Sequence, residues 1–268
     1  MSERIRVFVG TPANNEDLEC QAVFAWSLRK HHPQDDVDII WMMLSRDPNS
    51  FWYSDPQANP RKGWNMRGAA TPFSSLRWGI PAACEFQGKA IYCDCDQIFI
   101  ADVAELWNQT IPDGKALLMS KIGASCVMLM DNERMKKVLP PIEHLKTVEG
   151  AYRPVRSTIA KHAGVFQGEW NCLDGKDDDK AQYRPTIYDG KVKLIHYTNI
   201  PTQPNHKHAR ARLKLEGKPH WYNGRDELHP MPEIPELFDR MLAEANAAGQ
   251  GPETFRVPVE FGDYGRGR

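Results

Sequence analysis

The chain has 268 residues, which is enough for one large α/β domain with a substantial buried core. Lys and Arg number 34 against 35 Asp and Glu, and this balanced charge argues against a general nucleic-acid-binding protein. No stretch approaches the roughly 18 consecutive apolar residues of a membrane span. The N-terminus lacks the apolar core of a signal peptide, so a cytoplasmic protein is expected.

The N-terminal part of the chain has the pattern of a β-α-β unit that opens a parallel sheet. Strands are predicted over residues 5–10 and 37–42, with a helix between them. Ligands of such sheets bind beyond the carboxyl ends of the strands, so Gly10, Thr11 and Pro12 are expected at the edge of a site. There is neither a G-x-G-x-x-G nor a G-x-x-x-x-G-K motif, so a dinucleotide-binding fingerprint and a P-loop are not supported.

The middle of the chain is predicted to alternate helices with one apolar strand. An aromatic-rich insert over residues 45–70 is either a functional loop or a surface excursion pinned by its aromatic side chains. A helix is predicted over residues 71–86, with Thr71 as its cap and a kink or restart at Pro81. A strand over residues 89–100 follows, and Asp102 then caps a short helix.

Two carboxylates, Asp94 and Asp96, lie two residues apart inside this otherwise apolar strand. Uncompensated carboxylates so close together repel each other, so a cation is expected to meet them. Residues i and i+2 of an extended segment point the same way, and the pair can therefore chelate one hard divalent ion. An isolated D-x-D is more often a solvated strand end, so the context has to decide.

The cysteines are dispersed, and several lie in apolar surroundings, which is typical of reduced, buried residues and not of a disulfide framework. Cys93 and Cys95 form a C-x-C that could be half of a zinc site. No second Cys or His pair lies at finger-like spacing, so the sequence does not favour zinc. The six cysteines are Cys20, Cys84, Cys93, Cys95, Cys126 and Cys172.

The last third of the chain is less regular. An amphipathic helix is predicted over residues 234–247, and residues 251–268 have the composition of a loosely attached tail. The tail mixes charges and is weakly apolar, so at most peripheral membrane contact is expected.

The order of these elements carries a family resemblance. The segments T-P-F-S-S-L-R-W-x-I-P and A-I-Y-C-D-C-D-Q-I-F-I-A-D-V-A-E-L-W resemble bacterial family 8 glycosyltransferases, relatives of glycogenin and of lipopolysaccharide galactosyltransferases. The resemblance is strongest over residues 5–130 and returns near His196. It implies a single GT-A domain over residues 1–250, with a mixed, mainly parallel sheet flanked by helices, followed by the tail over residues 251–268.

The same resemblance implies a function. These enzymes move a sugar from a nucleotide sugar, here expected to be a UDP-sugar, and retain its configuration. The acceptor could be a saccharide, a lipid-linked glycan or a protein. By resemblance, Asp94, Asp96 and His196 hold Mn²⁺ or Mg²⁺ on the donor diphosphate, and Arg77 joins the two carboxylates in the catalytic group. The residues expected to contact the donor are Gly10, Thr11, Pro12, Arg77 and Cys95.

Physical chemistry agrees with this assignment. A leaving diphosphate accumulates negative charge, which a divalent ion stabilises as a Lewis acid. Carboxylates with one imidazole suit Mn²⁺ better than a closed zinc site. The alternatives stay open: His196 could be a packed structural residue, and Arg77 a solvated helix charge. Trp170 is expected in the core, and Asn171 as polar lining of the site.

The sequence also departs from the family pattern. Many relatives follow the metal-binding His with H-x-x-G-x-x-K, but here neither the Gly nor the Lys follows His196 in register. The family's N-A-G-V element corresponds to Ala124-Ser125-Cys126-Val127, and its D-Q pair has no clear counterpart. The acidic loop over residues 174–179 could simply be disordered. Three basic residues could meet the diphosphate instead or form a solvated face, namely Lys207, Arg210 and Arg212.

These departures keep other functions open. The altered positions permit a catalytically silent nucleotide-sugar-binding protein. A sugar nucleotidyltransferase shares the metal and a similar sheet, but it would need a Gly-rich N-terminal loop with a Lys or Arg close behind. The turn after residue 10 lacks that loop.

Overall fold

The computed structural model describes residues 4–67, 69–121, 123–177, 182–262 and 264. These residues form eleven β-strands and eight α-helices, with short 3-10 helices at Leu76–Gly79, Ile200–Thr202 and Pro252–Phe255. The strands are β1 Ile5–Gly10, β2 Val37–Met42, β3 Ser54–Asp55, β4 Lys62–Gly63, β5 Lys89–Asp94, β6 Gln97–Phe99, β7 Leu117–Met119, β8 Val127–Asp131, β9 Ala163–Val165, β10 Cys172–Leu173 and β11 Leu194–His196. The helices are α1 Leu18–His31, α2 Ile80–Ala83, α3 Val103–Trp107, α4 Asn132–Met135, α5 Ile142–Thr147, α6 Tyr152–Lys161, α7 Asn205–Leu215 and α8 Glu233–Ala247.

A six-stranded sheet forms the centre of the molecule, in the order β2-β1-β5-β8-β7-β9. β1 runs parallel to β2 and β5, and β7 runs parallel to β9. β8 alone runs antiparallel to both of its neighbours, β5 and β7. The sheet is therefore mixed and mainly parallel, and the predicted α/β fold class is confirmed.

A second sheet positions the candidate site. It contains three strands in the order β10-β11-β6, and β6 begins just after β5 ends. The register pairs His196 of β11 with Gln97 of β6. In the central sheet, Gly10 at the end of β1 pairs with Asp94 at the end of β5. The bend at residues 95–96 thus joins the carboxyl end of the central sheet to the smaller sheet.

The core lies on both faces of the central sheet. On one face, Ile91 and Cys93 of β5 pack with side chains of α1 and α8. On the other, Ala90 and Tyr92 pack with methionines of β7 and β8. Burial on both faces is typical of a central strand, and it explains why this segment is apolar up to the point where Asp94 ends it.

Most predicted elements are confirmed. α1 ends at His31, and α8 spans Glu233–Ala247, close to the predicted bounds. The Asp102 carboxylate accepts a hydrogen bond from the backbone amide of Ala104 at 2.7 Å, so Asp102 caps α3 as expected.

The helix predicted over residues 71–86 is wrong in its first half. Residues 71–75 form turns, and Thr71 bonds to the Ser74 hydroxyl instead of capping a helix. Pro81 has no backbone N–H, so it cannot bond to the carbonyl of Arg77 four residues earlier. That carbonyl accepts from Ile80 instead, which closes the tighter 3-10 turn that runs into α2.

The insert over residues 45–70 contains a short hairpin made by β3 and β4. Trp64 is buried to 1% exposure and contacts the rings of Phe51 and Trp52, with centroids 6.3 and 5.8 Å away. This arrangement matches the surface excursion pinned by aromatic side chains.

The C-terminal tail is held firmly, so the expectation of loose attachment is wrong for residues 252–262. Phe261 is buried, and its amide donates to the carbonyl of Ala13 at 3.0 Å. The Asn15 side chain accepts from the amide of Val257 at 2.8 Å and donates to its carbonyl at 3.2 Å. Separately, none of the helices in the described ranges combines the length and the apolar character needed to cross a bilayer.

Candidate functional site

Asp94 lies at the carboxyl end of β5 and is held by two neighbours. Its carboxylate accepts hydrogen bonds from the Tyr92 hydroxyl and from Nη2 of Arg77, the latter at 3.3 Å. Burial raises the pKa of Tyr92 well above its usual value, so the hydroxyl keeps its proton and remains a donor. The Asp94 side chain is 14% exposed, which leaves part of it open to a ligand.

Arg77 is brought to the site as predicted, but the protein occupies most of its donors. Its guanidinium donates to the backbone carbonyls of Ser125 and Ser74 as well as to Asp94, and lies 4.5 Å from the centroid of the Tyr92 ring. The Arg77 side chain is only 10% exposed. This geometry makes Arg77 a residue that positions Asp94, and it is not the solvated helix charge of the alternative interpretation.

Gly10 allows this arrangement by having no side chain. A Cβ at this position would lie 2.7 Å from the Phe73 ring and 2.8 Å from the Tyr92 hydroxyl. Thr11 and Pro12 follow at the same edge and are buried. The Thr11 hydroxyl is buried without a hydrogen-bond partner among the described residues. The predicted edge of the site is therefore next to Asp94, but the structure gives Gly10 a packing role.

His196 and Asp96 meet across the junction of the two sheets. Nε2 of His196 lies 3.2 Å from Oδ1 of Asp96 and 3.9 Å from Oδ2 of Asp94. Gln203 holds Asp96 from the far side, because its Nε2 lies 3.3 Å from Oδ2 of Asp96 and donates to the carbonyl of Tyr197 at 2.6 Å. His196 thus approaches both carboxylates, but the set of described residues whose ligand atoms all lie within 4.8 Å of one another is Asp94, Cys126 and His196, without Asp96.

Asn171 orients the His196 ring. Its Oδ1 lies 2.9 Å from Nδ1 of His196, and its Nδ2 donates to the Ser120 hydroxyl at 3.3 Å. An amide oxygen accepts only, so Nδ1 carries a proton and Nε2 faces the two carboxylates. Metal-binding histidines are held in the same way by a second partner on the other nitrogen. The predictions for this pair hold: Asn171 lines the site, and Trp170 is buried in the core at 1% exposure.

The positive charge that the two carboxylates require is supplied by the ring of His196. Burial disfavours the imidazolium of His196, but the adjacent Asp96 carboxylate and, after it, Cys126 together outweigh burial and raise the pKa of His196 well above its usual value. The protonated ring then supplies a positive charge between the two carboxylates. The repulsion expected from the sequence is therefore relieved within the chain itself.

Cys126 is a site residue that the sequence does not single out, as are Tyr92 and Gln203. Its Sγ, a carboxylate oxygen of Asp94 and a ring nitrogen of His196 all lie within 4.8 Å of one another. Its backbone carbonyl accepts from the amide of Asp94 at 3.2 Å and from the Gln97 side chain, also at 3.2 Å. The only available signal was its position in the family's N-A-G-V element, which lines the site in relatives.

Cys95 is not brought to the site. Its side chain is buried in the core, and its Sγ lies 4.0 Å from Oδ2 of Asp17. A hydrogen bond with Cys20 lowers the pKa of Cys95, but burial and the nearby carboxylates, Asp17 first among them, together outweigh it and raise the pKa to about 11. Its thiol is therefore protonated and directed inwards, so a side-chain contact with the donor is not supported. All six cysteines are free, and the five other than Cys126 are buried.

The basic residues of α7 are not available to a diphosphate without breaking existing ion pairs. Each has an acidic partner within 3 Å, which argues against a role in binding the diphosphate, whereas Lys207 is exposed, as expected of a solvated face. The pairs are Lys207 with Asp239, Arg210 with Asp226 and Arg212 with Glu19.

The acidic loop after β10 is ordered where the structure describes it. Asp174 is buried and accepts from the amides of Thr198 and Asn199 at 2.8 and 3.2 Å, so it fixes the segment after His196. The expectation of disorder is therefore wrong for Asp174. Asp178 and Asp179 lie outside the described residues.

The donor set fits a divalent metal. Carboxylate oxygens and an imidazole nitrogen that has released its proton are ligands that Mn²⁺ accepts, and the carboxylates also suit Mg²⁺. Each of the three groups is fixed by its own partner, as described above. The site can therefore hold a cation without extensive rearrangement.

Comparisons with known proteins give the fold. No protein-family model and no curated protein matches the sequence. Among solved structures, an active-site mutant of LgtC matches with a TM-score of 0.55 and 11% identity, over 90% of this chain and 96% of that one. The chain has a GT-A glycosyltransferase fold.

Two further glycosyltransferases with this fold are longer. GlyE of Streptococcus pneumoniae TIGR4 matches with a TM-score of 0.53 and 14% identity, over 93% of this chain and 64% of that one. The bifunctional glycosyltransferase WbbM matches with a TM-score of 0.51 and 14% identity, over 74% of this chain. The chain covers 46% of WbbM, so it spans less than two thirds of either protein. The predicted GT-A fold is confirmed.

Proposed function

We propose that this protein is a metal-dependent glycosyltransferase that moves a sugar from a UDP-sugar to a saccharide acceptor with retention of configuration. The observation that carries the proposal is the meeting of three metal-binding groups in a GT-A fold. Nε2 of His196 lies 3.2 Å from Asp96 and 3.9 Å from Asp94, at the carboxyl end of β5. Ligands of open α/β sheets bind at such strand ends.

In this proposal the metal is held by Asp94, Asp96 and His196. Bound there, a divalent ion would neutralise the charge that builds up on the diphosphate as the bond to the sugar breaks. Arg77 and the Tyr92 hydroxyl keep the Asp94 carboxylate in place. In this proposal the side chains bind the metal and hold its ligands in a fixed orientation. Such positioning of the reacting groups lowers the activation barrier of sugar transfer.

The same positioning applies to the other two ligands. Gln203 holds Asp96, and Asn171 fixes the ring of His196. The nucleotide is assigned to the edge formed by Gly10, Thr11 and Pro12, because this edge adjoins Asp94 through the pairing of β1 with β5. A UDP-sugar is proposed from the resemblance to family 8 enzymes, and the galactosyltransferase LgtC has been solved with donor and acceptor sugar analogues.

Asp96→Asn tests the proposal. The substitution keeps the size of the side chain and removes the charge that faces His196. We expect the parent to be stabilised against heat by a UDP-sugar only when a divalent ion such as Mn²⁺ or Co²⁺ is present, since a ligand that binds the native state raises apparent stability. Asp96→Asn should lose this shift. Asp38→Asn is a matched control, because Asp38 pairs with Arg4 at the surface and lies in β2. Metal-dependent binding by Asp96→Asn at the parent's level would contradict the metal site.

Turnover separates the transferase from the silent binder. The silent alternative is favoured by one observation, namely that the basic residues of α7 are committed to ion pairs. A transferase should also hydrolyse the UDP-sugar slowly in a Mn²⁺-dependent manner, with water in place of the acceptor. Binding of the UDP-sugar with no hydrolysis and no transfer on an acceptor panel would assign the protein to the silent class.

A further inference from the structure

Cys126 lies immediately before β8, at the mouth of the candidate metal site. It is half-buried, whereas the other five cysteines are buried. Its Sγ lies within 4.8 Å of a carboxylate oxygen of Asp94 and of a ring nitrogen of His196, and those two atoms lie within the same distance of each other. The thiol is therefore the most accessible of the chain and the one beside the metal-binding groups.

We propose that the Cys126 thiolate joins the metal ligands proposed above, beside Asp94 and His196, and that the site therefore selects thiophilic divalent ions of the Zn²⁺ and Co²⁺ type over Mg²⁺ and Mn²⁺. The inference rests on the proposed function in that it concerns the same metal site. It differs from the family-based expectation, in which carboxylates and one imidazole select Mn²⁺.

The spacing of the three groups fits a single ion. Zinc binds sulfur at about 2.3 Å and imidazole or carboxylate at about 2.0–2.2 Å, so two ligand atoms of a tetrahedral site lie roughly 3.3–3.7 Å apart. The three ligand atoms lie within 4.8 Å of one another, so side-chain shifts on the order of 1 Å bring them to one ion. Catalytic zinc sites can expand from four to five ligands, so a diphosphate oxygen can bind beside these three groups and Asp96.

The chemistry of the donor set gives the selectivity. Thiolate is a soft ligand that Mg²⁺ and Mn²⁺ bind poorly, whereas imidazole and thiolate together suit Zn²⁺ and Co²⁺. On binding, the thiol loses its proton to solvent, and the sulfur lone pair forms the new bond to the ion. The structure also anchors this residue, because the Cys126 carbonyl accepts from Asp94 and from Gln97.

Cobalt titration tests the inference, because a cobalt–thiolate bond gives an intense near-ultraviolet charge-transfer band that oxygen and nitrogen ligands do not give. We expect the purified chain, freed of metal, to develop this band with Co²⁺ and to saturate at one ion per chain. Cys126→Ser should lose the band and bind Zn²⁺ at least about 10- to 100-fold more weakly, the loss typical of removing even an outer partner of a metal ligand. Cys84→Ser is the matched control, because Cys84 is buried beyond the end of α2, and it should behave as the parent.

The outcomes separate this inference from the proposed function. Co²⁺ binding by the parent without the band, or a band that persists in Cys126→Ser, overturns the thiolate ligand and leaves the transferase proposal standing. A band that depends on Cys126, in a protein that binds no UDP-sugar with any metal, supports the ligand and contradicts the transferase. Alkylation of Cys126 by iodoacetamide gives a second readout. We expect Zn²⁺ to protect this thiol, and full labelling in saturating Zn²⁺ overturns the inference.

Discussion

Removal of the Asn171 side chain should weaken metal binding without removing a metal ligand. Asn171 is buried at 5% exposure, and its Oδ1 lies 2.9 Å from Nδ1 of His196. Asn171→Ala deletes the acceptor for the Nδ1 proton and leaves the ring free to turn. The ring then no longer presents Nε2 to Asp94 and Asp96 in a fixed orientation.

The expected magnitude has two parts. A buried donor left without a partner costs about 1–3 kcal/mol of folding free energy, and Nδ1 of His196 becomes such a donor. Loss of the orienting partner of a metal-binding histidine typically lowers metal affinity by about 10- to 100-fold. That loss corresponds to about 1.4–2.7 kcal/mol of binding free energy. Both effects arise from one hydrogen bond and should appear together in Asn171→Ala.

A matched control distinguishes orientation from general destabilisation. Asn132 is fully buried and donates to the carbonyl of Gln87 at 3.0 Å, at the start of α4. Asn132→Ala should lose folding free energy in urea unfolding and keep the parent's affinity in calorimetric titrations with Co²⁺ or Mn²⁺. Asn171→Ala should lose both. If Asn171→Ala binds metal within about twofold of the parent, or if Asn132→Ala loses as much affinity, the orienting role of Asn171 is refuted.

Three further predictions concern stability. Arg77→Met should lower the free energy of unfolding by about 3 kcal/mol, because the largely buried Asp94 carboxylate loses its guanidinium partner. A loss of less than about 1 kcal/mol in urea unfolding, which is typical of a surface ion pair, would contradict this. Phe261→Ala should cost about 3 kcal/mol by emptying a buried aromatic position, and unchanged stability would show that the tail is not packed as described. Burial, followed by the interaction with His220, lowers the pKa of His206 to about 4. The contribution of the neutral His206 ring to stability is therefore fully present above about pH 6.5, the usual pKa of histidine. That stability is lost as the pH falls towards 4, by about 3 kcal/mol, and His206→Gln should show a shallower loss over this range in urea unfolding.

The sequence predicts the central strands well because the signal for them is local. β1 and β2 are short apolar runs bounded by turn residues and have their predicted bounds, whereas β5 begins at the predicted Lys89 but ends at Asp94 instead of Ile100. The helix cap at Asp102 follows from one side chain and the amide two residues later. Such features need no knowledge of distant contacts, so pattern alone is sufficient for them.

The two carboxylates show where local reasoning fails. From their spacing of two residues, Asp94 and Asp96 are expected on one face of a single strand. In the structure β5 ends at Asp94, and the chain bends before β6 begins at Gln97. The two carboxylates therefore belong to the junction of two sheets. The bend also turns Cys95 into the core, which explains why its predicted contact with the donor is not supported.

Cys126 could not be identified from sequence because it depends on strand register. Cys93 of β5 pairs with Val127 of β8, and this register places Cys126 beside Asp94. Cys126 is far from Asp94 in the sequence and reaches it only through an antiparallel strand pair. No periodic pattern in the sequence indicates such a contact. The packing of the C-terminal tail could not be predicted for a similar reason, because Phe255 and Phe261 are isolated anchors in a polar segment.

The expectation that a cation must meet the two carboxylates is satisfied in a way that the motif alone does not suggest. The raised pKa of His196 makes its ring the positive charge that lies 3.2 Å from Asp96 and 3.9 Å from Asp94. Nε2 is then occupied by a proton in the metal-free protein. A metal ion that enters the site must displace that proton before it can bind Nε2, so metal uptake and proton release are linked. The imidazolium of His196 thus holds the two carboxylates near the ring in the metal-free protein. Each of the three side chains also has its own fixed partner, so a metal ion would replace a proton in a site that is already formed.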